Sequence, residues 1–463
     1  MQTRKHGFRL RLRMGRSAAM GALLTGLAVS IPFAGAAAAE TLAEALRLAF
    51  ETNPTIQAAR AEQRATGELK SQAWADILPE ITAGGSYQEI DNDQTIDASV
   101  FDPTDPGPTP VPNSVKLSTL TAQVQGELTV FDGFRNVNAL RQAAARVKAG
   151  GAQLASVEQD VLLRTATAYF DVLRDTAVYE ANLNNVEVLV RQLQEAQLRF
   201  EVGEVTRTDV AQAEARLAGA RAQLTSSQAQ LAVSRALLSE LTGQAPGTLA
   251  GDPALPTAPE TLEQARSLGR GYAPQILAAK ANEKASRKGI AIAKSAFAPN
   301  VALTSSYQYA EEPSNFVLDD EQFAYGVRAS IPIFQGGRNL SRVREARALN
   351  DADRRRIEEA ERRVDAAIAS AWEQLQAANA NIASAEAQLA ANDLALRGVR
   401  REAQLGARTT LDVLNAEQEF LNAEVALAGA RRDARVALFQ LLTSAGILTL
   451  DAASGGTDPV DEG

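Results

Sequence analysis

One unit occurs twice in this chain, and the repeat limits the fold more than any other feature. Thr41-Leu42, Pro54, Ile56, Pro79 and Ser86-Tyr87-Gln88 return as Thr261-Leu262, Pro274, Ile276, Pro299 and Ser306-Tyr307-Gln308, each 220 positions later. Phe131, Gly133, Arg135-Asn136, Gly203, Asp209-Val210 and Gly243 return as Phe334, Gly336, Arg338-Asn339, Gly406, Asp412-Val413 and Gly446, at an offset of 203. The first copy therefore carries 17 additional residues between Gln88 and Phe131. Shared turn and breaker residues require two equivalent substructures joined in tandem. Each copy reads helix, strand, strand, very long helix, helix.

The helices are long. Segments 137–202, 206–242, 340–405 and 409–443 are rich in Ala, Gln, Glu, Arg and Leu and contain no proline. At ~1.5 Å per residue, 137–202 extends to roughly 100 Å, against about 11–12 residues for an ordinary globular helix. Leu183, Val186, Val190, Leu193 and Phe200, and again Ile382, Ala385, Leu389, Leu396 and Val399, step by threes and fours as a coiled-coil seam does. Gly203 and Gly406 suit helix C-terminal caps, after which a helix of half the length turns back. Segments 42–78 and 262–298, ending at Pro79 and Pro299, are expected to stack on the shorter helices so that each pair matches its long partner. Pro246, Gly247, Gly251, Pro253, Pro256 and Pro259 mark the linker between the copies.

The strands alternate. Leu120, Ala122, Val124, Leu128 and Val130 interleave with Thr119, Thr121, Gln123, Gln125, Glu127 and Thr129. Phe323, Tyr325, Val327, Ala329, Ile331 and Ile333 interleave with Gln322, Ala324, Gly326, Arg328 and Ser330. Strands about 81–90, 116–131, 301–309 and 323–334 follow. One apolar and one polar face at this length fit a transmembrane barrel around a wet lumen, although a half-buried soluble sheet alternates in the same way. Leu120, Val124, Leu128, Phe323, Tyr325 and Val327 are then lipid-facing, and Thr121, Gln123, Gln125, Glu127 and Arg328 lumen-facing. Four strands cannot close a barrel, since single-chain examples begin at eight and lipid tolerates no open edge. Three chains would close one of twelve strands. The additional residues of the first copy, around Asp91–Asn113, read as a polar, proline-rich surface loop.

Residues 1–39 are expected to be a signal peptide: Arg4, Lys5, Arg9, Arg11, Arg13 and Arg16, then the apolar run 18–29, then Ala37-Ala38-Ala39. Its removal takes the net charge from −9 to −15 and removes His6, the single histidine of a chain without cysteine. A mature chain lacking both excludes thiolate and imidazole metal sites, Ser-His-Asp triads and cysteine nucleophiles, and its acidity argues against nucleic acid as a partner. No cofactor motif is present, so no enzymatic activity is expected. The remaining divisions are a first repeat over 40–250, a second over 251–451 and a disordered tail over 452–463.

With the repeat, the Phe131-Asp132-Gly133-Phe134 and Phe334-Gln335-Gly336-Gly337 junctions and the two Gly-centred tips in view, the chain resembles the TolC family of outer-membrane efflux and secretion channels. Its most specific stretch is Gly406-Ala407-Arg408-Thr409-Thr410-Leu411-Asp412-Val413-Leu414-Asn415, with Val202-Gly203-Glu204-Val205-Thr206-Arg207-Thr208-Asp209-Val210 as its first-copy counterpart. The resemblance implies a mixed α and β homotrimer: a twelve-stranded barrel in the bacterial outer membrane, contacting its lipid, joined to an α-helical tunnel extending into the periplasm. It implies helix tips that meet a periplasmic adaptor (membrane fusion) protein, which links the channel to an inner-membrane ABC or RND transporter. Type I protein secretion is the expected use, with a multidrug efflux pump as the alternative. A periplasmic coiled-coil scaffold without a pore is the alternative from another class.

The same resemblance marks the entrance. Asp412 falls where the family carries the first acid of its closed entrance ring, while Asn415 replaces the second. Gly203, Thr206, Gly406 and Thr409 fall at the adaptor contact. Thr409-x-x-Asp412 and Thr206-x-x-Asp209 also read as helix capping boxes, a role compatible with a ring of charge. Arg408 has two readings, a bridge to Asp209 of a neighbouring helix pair or a solvated tip charge. The aromatic residues Phe131, Phe134, Phe323, Tyr325 and Phe334 are candidates for an interfacial belt.

Overall fold

In a computed structural model, residues 40–97, 104, 110–251, 253–314 and 317–453 are described. The expected signal peptide lies outside them. The two copies produce matching elements. Helices α1 (Leu42–Thr52) and α2 (Pro54–Ala75) have 11 and 22 residues, as do α5 (Leu262–Tyr272) and α6 (Pro274–Ser295). The long helices α3 (Arg135–Glu201) and α7 (Arg338–Gln404) both have 67 residues, and their return partners α4 (Arg207–Thr242) and α8 (Thr410–Ser444) have 36 and 35. A short α9 (Leu450–Ala453) follows, so residues 452 and 453, expected in a disordered tail, are helical, and 454–463 lie outside the described residues.

The segments 42–78 and 262–298 are not single helices. Pro54 and Pro274 each occupy a first helical position, where the missing N–H costs nothing and the ring fixes φ; the preceding residue is driven extended. Asn53 joins the pieces. Its Oδ1 accepts from Thr55 N at 2.9 Å, and its Nδ2 donates to the Leu241 carbonyl at 3.0 Å, at the end of α4. Thus α2 continues α4 as a stacked column beside α3. In the second copy, Gly446 after α8 lies so close to Ala273, before α6, that a Cβ there would sit 2.5 Å from Ala273 Cα.

The strands are longer than the alternation implied. β1 (Glu80–Asp97) pairs antiparallel with β2 (Pro110–Phe131), the ladder reaching Asp97 opposite Pro110. Both flanks of the expected loop 91–113, residues 91–97 and 110–113, are therefore ladder, because polar residues can hold a backbone ladder without apolar alternation to announce it. β3 (Asn300–Ser314) and β4 (Val317–Ser330) complete the order β1-β2-β3-β4. β4 starts before 323 and stops at Ser330; Ile331, Ile333 and Phe334 lie beyond the ladder, where Pro332 has no N–H to give. The β2–β3 register shifts between Thr129 and Phe131, which takes Val130 out of strict alternation.

The main core lies where the columns join. Leu42, Leu46, Leu162, Tyr169, Phe170, Ile368 and Phe439 are buried together there. Tyr169 donates its hydroxyl to the carbonyls of Glu40 and Ala250 at 3.0 Å each, tying the start of α1 to the linker. Burial pushes that hydroxyl up to about 12.

Candidate functional site: the paired hairpin tips

Each long helix ends in the same four-residue device. Gly203 has φ +81° and Gly406 φ +77°, a left-handed conformation that costs a side-chain-bearing residue roughly 1–2 kcal/mol. No atom lies within 4 Å of a Cβ built at either position, so backbone conformation and not crowding selects glycine. The reversal is closed by Glu204 N on the Arg199 carbonyl at 2.8 Å and Ala407 N on the Glu402 carbonyl at 2.9 Å.

The return helices begin with the expected capping boxes. Asp209 Oδ2 accepts from Thr206 N at 2.8 Å, and Thr206 Oγ1 accepts from Asp209 N at 3.3 Å. Asp412 Oδ2 accepts from Thr409 N at 2.9 Å, and Thr409 Oγ1 accepts from Asp412 N at 3.2 Å. In both, the backbone N–H first and the threonine hydroxyl second hold the carboxyl below the usual carboxylate range. Both acids are half-buried, so capping leaves part of each carboxylate at the tip surface.

Arg408 does not reach Asp209 within the chain. Its Nε pairs with Glu402 Oε2 at 2.8 Å across its own reversal, while Asp209 is engaged by Thr206. Asn415 is held by Arg216, whose Nη2 donates to Asn415 Oδ1 at 2.9 Å, linking α8 to α4.

A second set joins the two hairpins a few turns above the tips. Glu417 on α8 is 6% exposed. It accepts from Arg400 Nε on α7 at 2.9 Å and from Gln192 Nε2 on α3 at 3.1 Å. Nearby, Leu414 is buried with Leu189, Leu217 and Ala220 from α3 and α4. The cavity beside them, about 630 Å³, is lined by α3, α4 and α8 and includes Asn182, Arg216 and Glu417. A cleft of about 800 Å³ separates the reversals and is bordered by Arg199, Glu204, Arg400 and Arg408. Sequence reasoning missed Arg400, Gln192 and Glu417. The available signal was Glu417 itself, a charge between Leu414 and Leu421 at seam spacing.

At the other end of the long helices, the ladder sorts the strand residues by face. Leu128 is level with Leu303 and Val327, Val124 with Tyr307 and Phe323, and Tyr325 with Ser305. Leu120, Val124, Leu128, Phe323, Tyr325 and Val327 thus share one face. Thr121, Gln123, Gln125, Glu127 and Arg328 share the other, with Ala302, Thr304 and Ser306 between them. The outer edges of β1 and β4 have no strand partner among the described residues.

The family described as "Outer membrane efflux protein" matches residues 45–244 and 267–447, one block per copy. The chain is 32% identical over 432 residues to the outer membrane efflux protein BepC of Brucella suis biovar 1, covering 93% of this chain and 89% of BepC. It is 26% identical to the outer membrane protein TolC of Vibrio cholerae, covering 89% and 92% of the two chains. The crystal structure of the outer membrane protein VceC of Vibrio cholerae superposes with TM-score 0.71 at 22% identity, over 88% of this chain and 96% of VceC, and has the same fold. Twin 67-residue helices, a four-stranded sheet and glycine-centred tips are thus accompanied by a match across nearly the whole described chain, and the protein belongs to the outer membrane efflux protein family, whose members are outer-membrane channel proteins and not enzymes.

Proposed function

We propose that three copies close a twelve-stranded barrel in the outer membrane and continue it as a helical tunnel through the periplasm. The observation that carries this is a sheet with one apolar face and, among the described residues, two unpartnered edges, mounted on helices of 67 residues. An open edge in lipid leaves N–H and C=O groups unsatisfied, at several kcal/mol each. On this reading the face with Leu120, Val124, Leu128, Phe323, Tyr325 and Val327 meets lipid, and that with Thr121, Gln123, Gln125, Glu127 and Arg328 lines the lumen. The tips around Gly203, Thr206, Gly406 and Thr409 meet a periplasmic adaptor bound to an inner-membrane ABC or RND transporter. The channel is a passive conduit in a tripartite export system, and its energy comes from that transporter.

At the closed entrance three Asp412 carboxylates approach the axis. Like charges gathered in this way hold cations and repel one another, which favours opening. Recording single-channel currents from the purified protein beside Asp412→Ala tests both statements. A steady conductance with cation selectivity that weakens in the variant supports them. Folded, membrane-inserted protein that never conducts opposes the pore, and unchanged selectivity opposes the ring.

For cargo we put type I protein secretion first, on the likeness of the tip stretch 406–415 to the family's. Efflux of small toxic compounds is the second reading, favoured by the name of BepC. Deleting the gene and measuring secreted polypeptide beside dye accumulation separates them: loss of the polypeptide alone supports secretion, and dye accumulation alone supports efflux.

A further inference from the structure

Helices α3 and α6 border a groove of about 680 Å³ lined by Arg141, Lys148, Lys280, Lys284, Arg287 and Lys288 over a floor of alanines such as Ala145, Ala152 and Ala281. Among the described residues no carboxylate lines it, in a chain whose net charge is −9. Lys280 pairs with Glu361 at 3.6 Å and Arg287 with Glu283 at 3.8 Å. The other four cations have no ion pair among the described residues. Like charges held along one seam repel and attract an anion. The groove is also internal to the helix layer: α3 and α6 are flanked by α2 and α7, so it does not coincide with the layer's edges.

The chain itself supplies an anion within reach of the groove's lower end. On α3 the floor positions Ala145 and Ala152 are followed, at the same seven-residue spacing, by Gln159, whose Nε2 donates to the Gly446 carbonyl at 2.8 Å. Gly446 also abuts Ala273, immediately before α6. The chain thus leaves α8 beside the lower ends of both walls, and Leu448 and α9 then carry it onto the main core and α1, where Ala453 is the last described residue. Beyond it come Ser454-Gly455-Gly456-Thr457-Asp458-Pro459-Val460-Asp461-Glu462-Gly463, with three acids and no base. Ten residues reach roughly 33–36 Å extended, whereas Ala155 to Arg141 along α3 is about 21 Å at the helical rise.

We propose that residues 454–463 dock in the α3–α6 groove, setting Asp458, Asp461 and Glu462 against Arg141, Lys148, Lys284 and Lys288. Each contact is an exposed ion pair and weak alone. The tether raises the effective concentration to the millimolar range, and the attachment loosens as salt screens it. Docking of this kind does not depend on the cargo.

The absence of cysteine allows a direct test in the full chain. Val460→Cys is combined with Ala152→Cys on the groove floor or with Gln153→Cys, which stands at nearly the same height on an exposed face of α3, and treated with a short bismaleimide. About five-fold more cross-link to position 152 than to 153 at low salt is expected, lost near 1 M salt, where the Debye length is about 3 Å. The preference should also vanish when Asp458, Asp461 and Glu462 become Asn, Asn and Gln. Equal yields at 152 and 153, or a preference that survives neutralisation, overturn the proposal. Acetylation of Lys284 and Lys288 gives a second readout, expected to rise about five-fold once the neutralised tail no longer shields them. If those lysines stay protected in the neutralised variant only when the nanodisc contains phosphatidylglycerol, the groove holds lipid phosphate and the tail assignment fails.

Discussion

Glu417 stands at a seam position of α8 that leucines occupy on either side, and among the described residues its carboxylate is satisfied by Arg400 and Gln192 from two other helices. Glu417→Ala removes the acceptor from both donors and is expected to weaken the junction by about 1–3 kcal/mol, toward the lower end because the Arg400 side chain is 44% exposed and keeps its hydration. Faster amide exchange in the first turns of α8, with α2 and α6 unchanged, is the measurement. Asp412 makes a separate prediction in pH. Its folded pKa lies below its ordinary 3.8, so its capping contribution is complete above that pH and is lost as pH falls through the lowered folded value. After correction for intrinsic exchange, protection of the first α8 amides should drop with acid in the wild type but not in Asp412→Asn. Gly406→Ala, at φ +77° with open space around it, should cost roughly 1–2 kcal/mol through backbone strain alone, and Gly406→Asn less. Thr206, Asp209, Thr409 and Asp412 were legible from sequence because a capping box is local, four residues long. The Glu417 contacts were not: Gln192 is 225 positions away, and only the docking of two hairpins brings it near.

At the scale of elements, the long helices were readable to within about two residues, because no proline interrupts them and glycine ends them. Their seam was less so. Leu189 and Ala196 are the buried positions, whereas Leu183 and Phe200 are 38% and 45% exposed, since two neighbouring helices, rather than one, select the buried stripe. The breaks at Asn53-Pro54 and Ala273-Pro274 were written in the sequence as prolines at equivalent places, yet apolar periodicity runs straight through them. Strand extent was lost where apolar alternation fades, between Asp91 and Asp97 and between Pro110 and Val115. The two faces, by contrast, followed directly from period-two patterning. They allow a paired test: Val124→Arg should reduce membrane assembly, by up to about 2–4 kcal/mol if it lies near the bilayer midplane, while Gln123→Arg next to it should assemble normally with altered ion selectivity. Heat-modifiable mobility on gels and single-channel recording measure the two effects.

The whole molecule follows from an imbalance between its parts. Each copy contributes two strands and helices of 67 and about 35 residues, which gives a chain two complete hairpin columns but only four strands among the described residues. Membership of an outer-membrane channel family leaves no role for a scaffold without a pore, and in the proposed trimer the edges of β1 and β4 find their partners in other copies. The repeat made the pseudo-symmetry visible from sequence; subunit number was inferred from strand counting, which contains no direct information on how copies meet. The most direct measurement is therefore of edge-to-edge closure. In the naturally cysteine-free chain, Thr82→Cys on β1 and Ala324→Cys on β4 are combined and cross-linked in the membrane with a short bismaleimide. A barrel closed by three copies requires a ladder on denaturing gels that stops at three chains, with the single variants remaining monomeric. Cross-linking that stays within one chain, or a ladder that runs past three, would contradict it.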